Sequence, residues 1–403
     1  MSELLQADET KHLIALCRAG RLYDIEKWIA AGKSIRTSTD FKKTPLYIAI
    51  GLGFHSLVEL LVRNEPCQET KDKALREAVS ERKLELVEVL VAHGARTETV
   101  ELADVLLTWE PAMIRFFLEH GADVVTGSPF AVAFREKVRT ALRPFVEYKR
   151  AHPELAAELQ AQVDRSLRHF AHEGNLKWVS LLMWAGASPR TSGPTFDDRF
   201  GDDPECYTTA LQEACEAGKL DVVMKLKPDP HQDDLSDLLS CSTLSGSDEL
   251  IRYLFQLGAD PNGKPNGGSA ALDRCLWHLG FADVEAFLHK RPASKYALQG
   301  TLECLRQLVE HGARWKPDDR AQMNSVRRDL YGSEPAVTVE VVKLLARHKA
   351  CPEETLEELL DTPRMRGHLS QLGIKLYAGP VSKARSRAKA GRIPAQTQGP
   401  HEG

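Results

Sequence analysis

The chain has 403 residues, and its 53 Lys and Arg against 57 Asp and Glu give a formal net charge of -4. This length suffices for two or three compact domains or for one long repeat array, so a small domain that depends on disulfides or metals is excluded. The nearly balanced charge provides no general positive field for a polyanion, and we expect no specific binding to nucleic acid.

The N-terminal residues 1–13 are acidic and polar and lack the basic stretch and apolar core of a secretory signal. No apolar stretch approaches the roughly 20 residues that a membrane helix needs. We therefore expect a cytoplasmic protein without a membrane span. The eight cysteines contain no CxxC pair, which favours reduced structural thiols and leaves an unrecognised metal or redox site as the alternative.

The first clear repeat occupies residues 44–65 and combines a short apolar helix, a turn at Gly53 and a second apolar helix. Apolar side chains in both helices follow the 3.6-residue period of an amphipathic helix. The same order of helix, tight turn and helix recurs at 73–96, 166–189 and 209–226. The sequence therefore predicts a helical repeat protein.

Glycines follow the second helices of the repeats, where they supply the left-handed residue that often ends a helix. Six positions fit this role: Gly32, Gly94, Gly121, Gly186, Gly258 and Gly312. Gly20 and Gly53, in two interhelical turns, are 33 residues apart. Gly280 and Gly300 are also predicted turn residues, and the unit around 292–319 is irregular because only 20 residues separate them.

Residues 44–47, which read TPLY, resemble the TPLH opening of the ankyrin repeat, and 258–262, GADPN, resemble its GADxN ending. The chain thus resembles the ankyrin-repeat family over about residues 8–350. Its repeats are divergent, since other residues stand where the family has His: Arg76, Arg168 and Gln212. The resemblance implies an all-α fold, an ankyrin-like helical repeat solenoid with short hairpin loops.

One helix pair cannot bury both of its apolar faces, so repeats stack on their neighbours. We expect about 10–11 units over residues 8–351. A degenerate unit lies near 128–165, either a decayed repeat with a long helix or an inserted helix pair. Residues 189–207 are rich in Gly, Pro and Asp and predict a solvated acidic loop, with a cation or a basic partner as the alternative reading.

The composition changes at the C-terminal end of the array. Residues 352–376 can form amphipathic capping helices over the last repeat. Residues 377–403 carry basic side chains and almost no large apolar ones, which predicts a disordered basic tail. Such a tail either keeps the protein in solution or contacts RNA, an acidic protein or a membrane surface.

Catalytic sequence patterns are missing: the chain has no HExxH, GxSxG or GxGxxG. Gly32-Lys33-Ser34 lacks the earlier glycine of a phosphate loop. Four histidines recur just before the closing turn, which indicates a structural role: His93, His120, His311 and His348. We predict no catalytic residue, no cofactor and no metal site.

The resemblance implies that variable side chains at the ends of the first helices line a concave groove. Applied to this sequence, it assigns a set of candidate partner-binding residues: Arg18, Leu52, Glu81, His172, Glu173, Glu216, Trp277 and His278. Trp277 fits the groove or the core equally well. His172 and Glu173 could also be an acid–base pair, but the sequence places no nucleophile beside them.

These features predict a monomeric, non-enzymatic adaptor or scaffold that binds another protein through its concave groove. The inference rests on fold analogy, and one fold serves many roles. The alternative is an effector with an unrecognised enzymatic activity in the irregular region 128–207. That alternative requires a pocket of convergent titratable groups, which the sequence does not reveal.

Overall fold

The computed structural model describes residues 4–196, 207–265, 269–288, 295–315, 335–353 and 355–356. The chain divides into an N-terminal part, Met1–Pro228, and a C-terminal part, Asp229–Gly403. Within the described residues, helices are the regular secondary structure, and one isolated antiparallel bridge joins Gly193 and Thr208. The fold is therefore all-α, as the sequence predicts.

The N-terminal part contains fourteen α-helices among its described residues, arranged in consecutive pairs. They are α1 Ala7–Arg18, α2 Leu22–Ala30, α3 Pro45–Leu52, α4 His55–Arg63, α5 Gln68–Ser80, α6 Leu84–Ala92, α7 Leu102–Leu106, α8 Pro111–Glu119, α9 Pro129–Arg135, α10 Leu142–Ala151, α11 Ala156–Glu173, α12 Leu176–Trp184, α13 Ala210–Glu216 and α14 Leu220–Leu226.

The first helices of the pairs pack side by side in the order α1, α3, α5, α7, α9, α11 and α13, and we call them the first-helix row. Second helices also pack on their neighbours, as α2 does on α4, α4 on α6 and α12 on α14. Apolar side chains fill the space between the helices, and Leu13, Ile50, Leu75 and Phe170 are fully buried. Each repeat thereby covers the apolar face of the next.

The closing glycines lie as the sequence predicts. All six have positive φ, between +71° at Gly32 and +96° at Gly258. Gly20 and Gly53, in the interhelical turns, have φ of +62° and +73°. Only glycine adopts this backbone region without steric cost, so these residues are the repeated stop signals of the stack.

The irregular region after Gly121 continues the stack. Helix α9 packs on α7 on one side and on α11 on the other. Phe130, Phe134 and Phe145 form an aromatic cluster under this pair, with ring centroids 5.1–6.1 Å apart. The pair α9–α10 therefore occupies a repeat position, and the long helix α11 opens the next repeat.

In each of two repeats, a similar pair of hydrogen bonds joins the first helix to the closing turn, and we call this arrangement the clasp. In one, the Gln68 side chain donates to the Gly94 carbonyl (2.8 Å), and Asp72 accepts from the Arg96 amide (3.0 Å). In the other, Gln160 donates to the Gly186 carbonyl (2.9 Å), and Asp164 accepts from the Ser188 amide (2.7 Å). The clasp fixes each closing turn against the helix that begins its repeat.

The described helices of the C-terminal part are α15 Leu235–Ser242, α16 Asp248–Gln256, α17 Ala271–Leu288, α18 Lys295–Glu310 and α19 Pro335–Arg347. Helix α15 packs on α16 and α17, and α18 packs on α16, α17 and α19. The predicted turns at Gly280 and Gly300 are wrong, because these residues lie within α17 and α18. A Cβ on Gly300 would lie 2.7 Å from the Gly246 carbonyl oxygen, so this glycine permits a close backbone approach.

Several sequence predictions fall on residues outside the described ranges. They concern the acidic side chains at 197–205, nearly all of the capping segment 352–376, and the basic tail 377–403. These assignments stay predictions.

Candidate protein-binding surface

Six of the candidate residues come together at one edge of the first-helix row. Arg18, Leu52, Glu173 and Glu216 are the last residues of α1, α3, α11 and α13, His172 precedes Glu173, and Glu81 directly follows α5. All are exposed except Glu216, which is half-buried. Because the first helices pack side by side, their C-terminal ends form a continuous edge, which we call the helix-end edge.

Trp277 and His278 lie on α17 in the C-terminal part. The Trp277 side chain is 42% exposed, so it belongs to the surface rather than the core. Its indole ring lies 6.5 Å from the His278 imidazole, measured between centroids. Within the C-terminal part, exposed Trp277 and half-buried His278 are thus neighbouring aromatic side chains.

His172 is paired with a carboxylate on the neighbouring repeat. Its Nδ1 lies 2.8 Å from Glu213 Oε2, and the Thr208 hydroxyl donates to Glu213 Oε1 at 2.7 Å. The hydrogen bond to Glu213 raises the pKa of His172 above its ordinary value, against the opposing effect of burial. The His172–Glu213 contact therefore joins α11 to α13.

Glu173 is paired in the opposite direction along the stack. Lys137 Nζ, in the turn after α9, lies 2.9 Å from Glu173 Oε1. The hydrogen bond from Lys137 lowers the pKa of Glu173 below its ordinary value. Together with the His172–Glu213 pair, this contact links three consecutive repeats at the helix-end edge.

This arrangement supplies two ion pairs and no nucleophile–base pair. The hydroxyl in the network, that of Thr208, is held by the Glu213 carboxylate and not by His172. Among the described residues, no group of three or more His, Cys, Asp or Glu could hold a metal ion. Burial raises the pKa of Cys17 and Cys304 to about 12, so these thiols are poor nucleophiles.

The first residues of the predicted acidic loop are held against α11 by hydrogen bonds from its Arg side chains. The buried Arg168 guanidinium donates to the carbonyls of Thr191 (3.1 Å) and Pro194 (3.0 Å). Phe196 lies under the guanidinium of Arg165, 4.5 Å from its carbon, and edge-on to His169. Arg side chains on α11 thus hold backbone carbonyls and the aromatic ring of residues 191–196, while Thr191 and Ser192 are exposed.

Two of the four recurrent histidines, His120 and His311, contact the last turn of their own helix. His120 Nδ1 lies 2.7 Å from the Phe116 carbonyl, and His311 Nδ1 lies 2.8 Å from the Gln307 carbonyl. Each ring also stacks on an aromatic side chain, with centroids 4.0 Å apart. These contacts support the structural role predicted for this position.

Sequence reasoning missed Glu213 and Thr208, because their contact with α11 joins residues far apart in the chain. The local signal was present: Thr209 and Gln212 form a capping box at the start of α13. This cap fixes the first turn of α13, and Glu213 then lies opposite His172.

Residues 13–100 match the ankyrin-repeat family, with three copies of the repeat. A crystal structure of the ankyrin repeat domain of Bcl-3, a member of the IkappaB protein family, is 17% identical and covers 64% of this chain and 91% of that chain, with a TM-score of 0.30. No curated protein matches the chain.

No helix in the described ranges is both long and apolar enough to span a bilayer. The helical repeats of residues 13–100 match the ankyrin-repeat family.

Proposed function

We propose that this protein is a non-enzymatic adaptor or scaffold of the cytoplasm, which binds another protein along the helix-end edge as a monomer. One observation carries the proposal: side chains from α1, α3, α5, α11 and α13 lie along one edge of a packed row. Leu52 is 49% exposed there, between the charged ends of neighbouring helices. An apolar side chain within a polar surrounding is a common arrangement at protein interfaces.

The ion pairs support this function through rigidity. Lys137–Glu173 and His172–Glu213 tie neighbouring repeats together at the same edge. A surface that is already ordered loses less conformational entropy when a partner binds. The helix-end edge is therefore suited to binding rather than to catalysis.

In the first step, the immobilised full chain is used to purify binding partners. The Kd of the partner identified in this way is then measured. We expect His172→Ala combined with Glu173→Ala to weaken binding at least fivefold, corresponding to about 1 kcal/mol. Glu59→Ala combined with Arg63→Ala is a matched control, because it removes an exposed ion pair of 2.9 Å from second helix α4.

Two results would decide against the helix-end edge. Unchanged affinity in the His172 and Glu173 variant, together with lost binding in Trp277→Ala, would move the site to α17. Equal weakening in the control pair would show that the effect follows from lost charge and not from this edge.

A further inference from the structure

The interhelical turns of the described repeats share one left-handed residue. In five repeats that residue is glycine, with φ between +62° and +81°: Gly20, Gly53, Gly174, Gly218 and Gly246. In three consecutive repeats the same place holds Arg82 (φ +57°), Trp109 (φ +66°) and Lys137 (φ +62°). These three turns follow one another along the stack, because α5 packs on α7 and α7 on α9.

The hydrogen bonds of the turn are the same with and without glycine. The Arg82 and Lys83 amides donate to the carbonyls of Val79 (2.9 Å) and Ala78 (3.0 Å). The Gly53 and Phe54 amides donate in the same way to Ile50 (3.0 Å) and Ala49 (3.1 Å). Arg82 therefore adopts a conformation that favours glycine and gains no turn hydrogen bond in return.

At other turns, packing requires glycine. A Cβ on Gly20 would lie 3.2 Å from the Phe54 ring, and one on Gly174 would lie 2.9 Å from Lys219. A Cβ on Gly53 would have Lys83 Nζ as its nearest neighbour, at 3.9 Å. Side chains are thus sterically permitted only where the turn is open, and three large ones stand in neighbouring repeats despite the strained backbone. Strained residues that persist in a fold point to function.

The side chains at these turns are of the types that dominate binding energy, Trp and Arg. Trp109 is 41% exposed and Leu107 beside it is 37% exposed. Arg82 is exposed and has no ion pair within the described part of the chain. Its neighbour Lys83 is paired with Glu81 at 3.4 Å. The row therefore presents an apolar ring next to an unneutralised guanidinium.

We propose that Arg82, Trp109 and Lys137 form a docking row for an extended segment of a partner protein, in which a carboxylate side chain lies close to a large apolar one. The apolar side chain packs on Trp109. The carboxylate pairs with Arg82, whose planar guanidinium binds carboxylates through two parallel hydrogen bonds. Lys137 extends the row toward Glu173, and its side chain is 47% exposed. This inference rests on the proposed function, since it requires a protein partner. Its binding residues Arg82 and Trp109 are not among the candidate residues of the helix-end edge, and Lys137 connects the two sets through its ion pair with Glu173.

The experiment uses the full chain and three matched pools of labelled twelve-residue peptides. The first pool places Glu next to Trp or Leu, the second replaces Glu by Lys, and the third replaces the apolar residue by Ala. Fluorescence anisotropy should show that the protein prefers the first pool at least fivefold over the other two. Equal binding of the three pools, preference for the Lys pool, or no binding would overturn the proposal.

Substitution by glycine separates binding from folding. Arg82→Gly and Trp109→Gly should each weaken binding of the preferred peptides at least fivefold. Arg82→Gly should also keep or raise the melting temperature, because glycine relieves the left-handed strain. Lys227→Gly is the matched control: Lys227 is exposed, has φ +56° and lies after α14 outside the row, so its removal should leave binding unchanged.

Three results would contradict the docking row: retained binding in both glycine variants, a lowered melting temperature in Arg82→Gly, or equal loss in Lys227→Gly. If the peptides fail while the natural partner still depends on His172 and Glu173, the docking row is wrong and the proposed function stands.

Discussion

Single buried carboxylates hold the closing turns of this stack. The Asp72 side chain is 3% exposed and accepts hydrogen bonds from the Arg96 amide and guanidinium. Burial pushes the pKa of Asp72 upward, but the hydrogen bonds from Arg96 and Gln68 outweigh it and hold the pKa below its ordinary value. The charged form is therefore the one that stabilises the repeat.

Asp72→Ala should lower the free energy of unfolding by about 1–3 kcal/mol, because the Arg96 amide loses its buried acceptor. Urea unfolding measures the change. Asp104→Ala, an exposed position on α7, is the control and should change it by less than about 0.5 kcal/mol. The Asp72 contribution should be present above an unfolded pKa of about 3.9 and lost as pH falls through the lower folded value. A similar loss in both variants would contradict this role.

His172 has the opposite dependence on pH. Its pKa is raised by Glu213, so its stabilising effect is complete below the unfolded pKa of about 6.5 and disappears as pH rises through the folded pKa. His172→Gln should therefore lower the melting temperature more at pH 6 than at pH 8. The accompanying loss in free energy of unfolding should stay below about 1 kcal/mol, because the imidazole is 59% exposed. A loss that is the same at both pH values would contradict the ion pair.

At the scale of elements, glycines have two roles that the sequence pattern does not separate. The closing glycines follow apolar helices and end them, which is why they were predictable. Gly300 lies inside α18, and its role is to admit the Gly246 backbone. From the sequence, both kinds of glycine were predicted to lie in turns. Arg82, Trp109 and Lys137 form the reverse case, since their left-handed turns contain no glycine to reveal them.

Gly300→Ala should destabilise the protein, although alanine in a helix interior usually adds about 0.5–1 kcal/mol of stability. The added Cβ would lie 2.7 Å from the Gly246 oxygen, a distance that forces the backbone to shift. Gly51→Ala in α3 is the matched control, because no atom lies within 4 Å of its added Cβ, and it should stabilise. Thermal unfolding measures both, and a gain in stability for Gly300→Ala would show that α18 does not pack as described.

For the whole molecule, the helical stack was predictable and the contacts between repeats were not. Periodicity and recurrent endings report on each repeat by itself. The His172–Glu213 pair joins residues 41 positions apart in the sequence, and no local pattern specifies such a pairing. The sequence therefore predicted which residues lie at the helix-end edge, but only the structure shows their ion pairs.

The ends of the array remain sequence-based predictions at this scale. Deleting residues 380–403 should leave the melting temperature unchanged, because this basic tail lacks the apolar side chains of a core. Deleting from residue 352 onward should expose apolar surface at the last repeat and cause aggregation. Light scattering during heating distinguishes the two truncations, and identical behaviour would contradict the capping assignment.

The central claim is that a partner protein binds along the helix-end edge. Hydrogen–deuterium exchange of the full chain, with and without the purified partner, tests it most directly because it locates the covered backbone. The account predicts slower exchange on binding at residues 50–54, 79–83 and 171–175, where the first helices end. Slower exchange confined to the second helices α4, α6 and α12, with no change at those three segments, would contradict it.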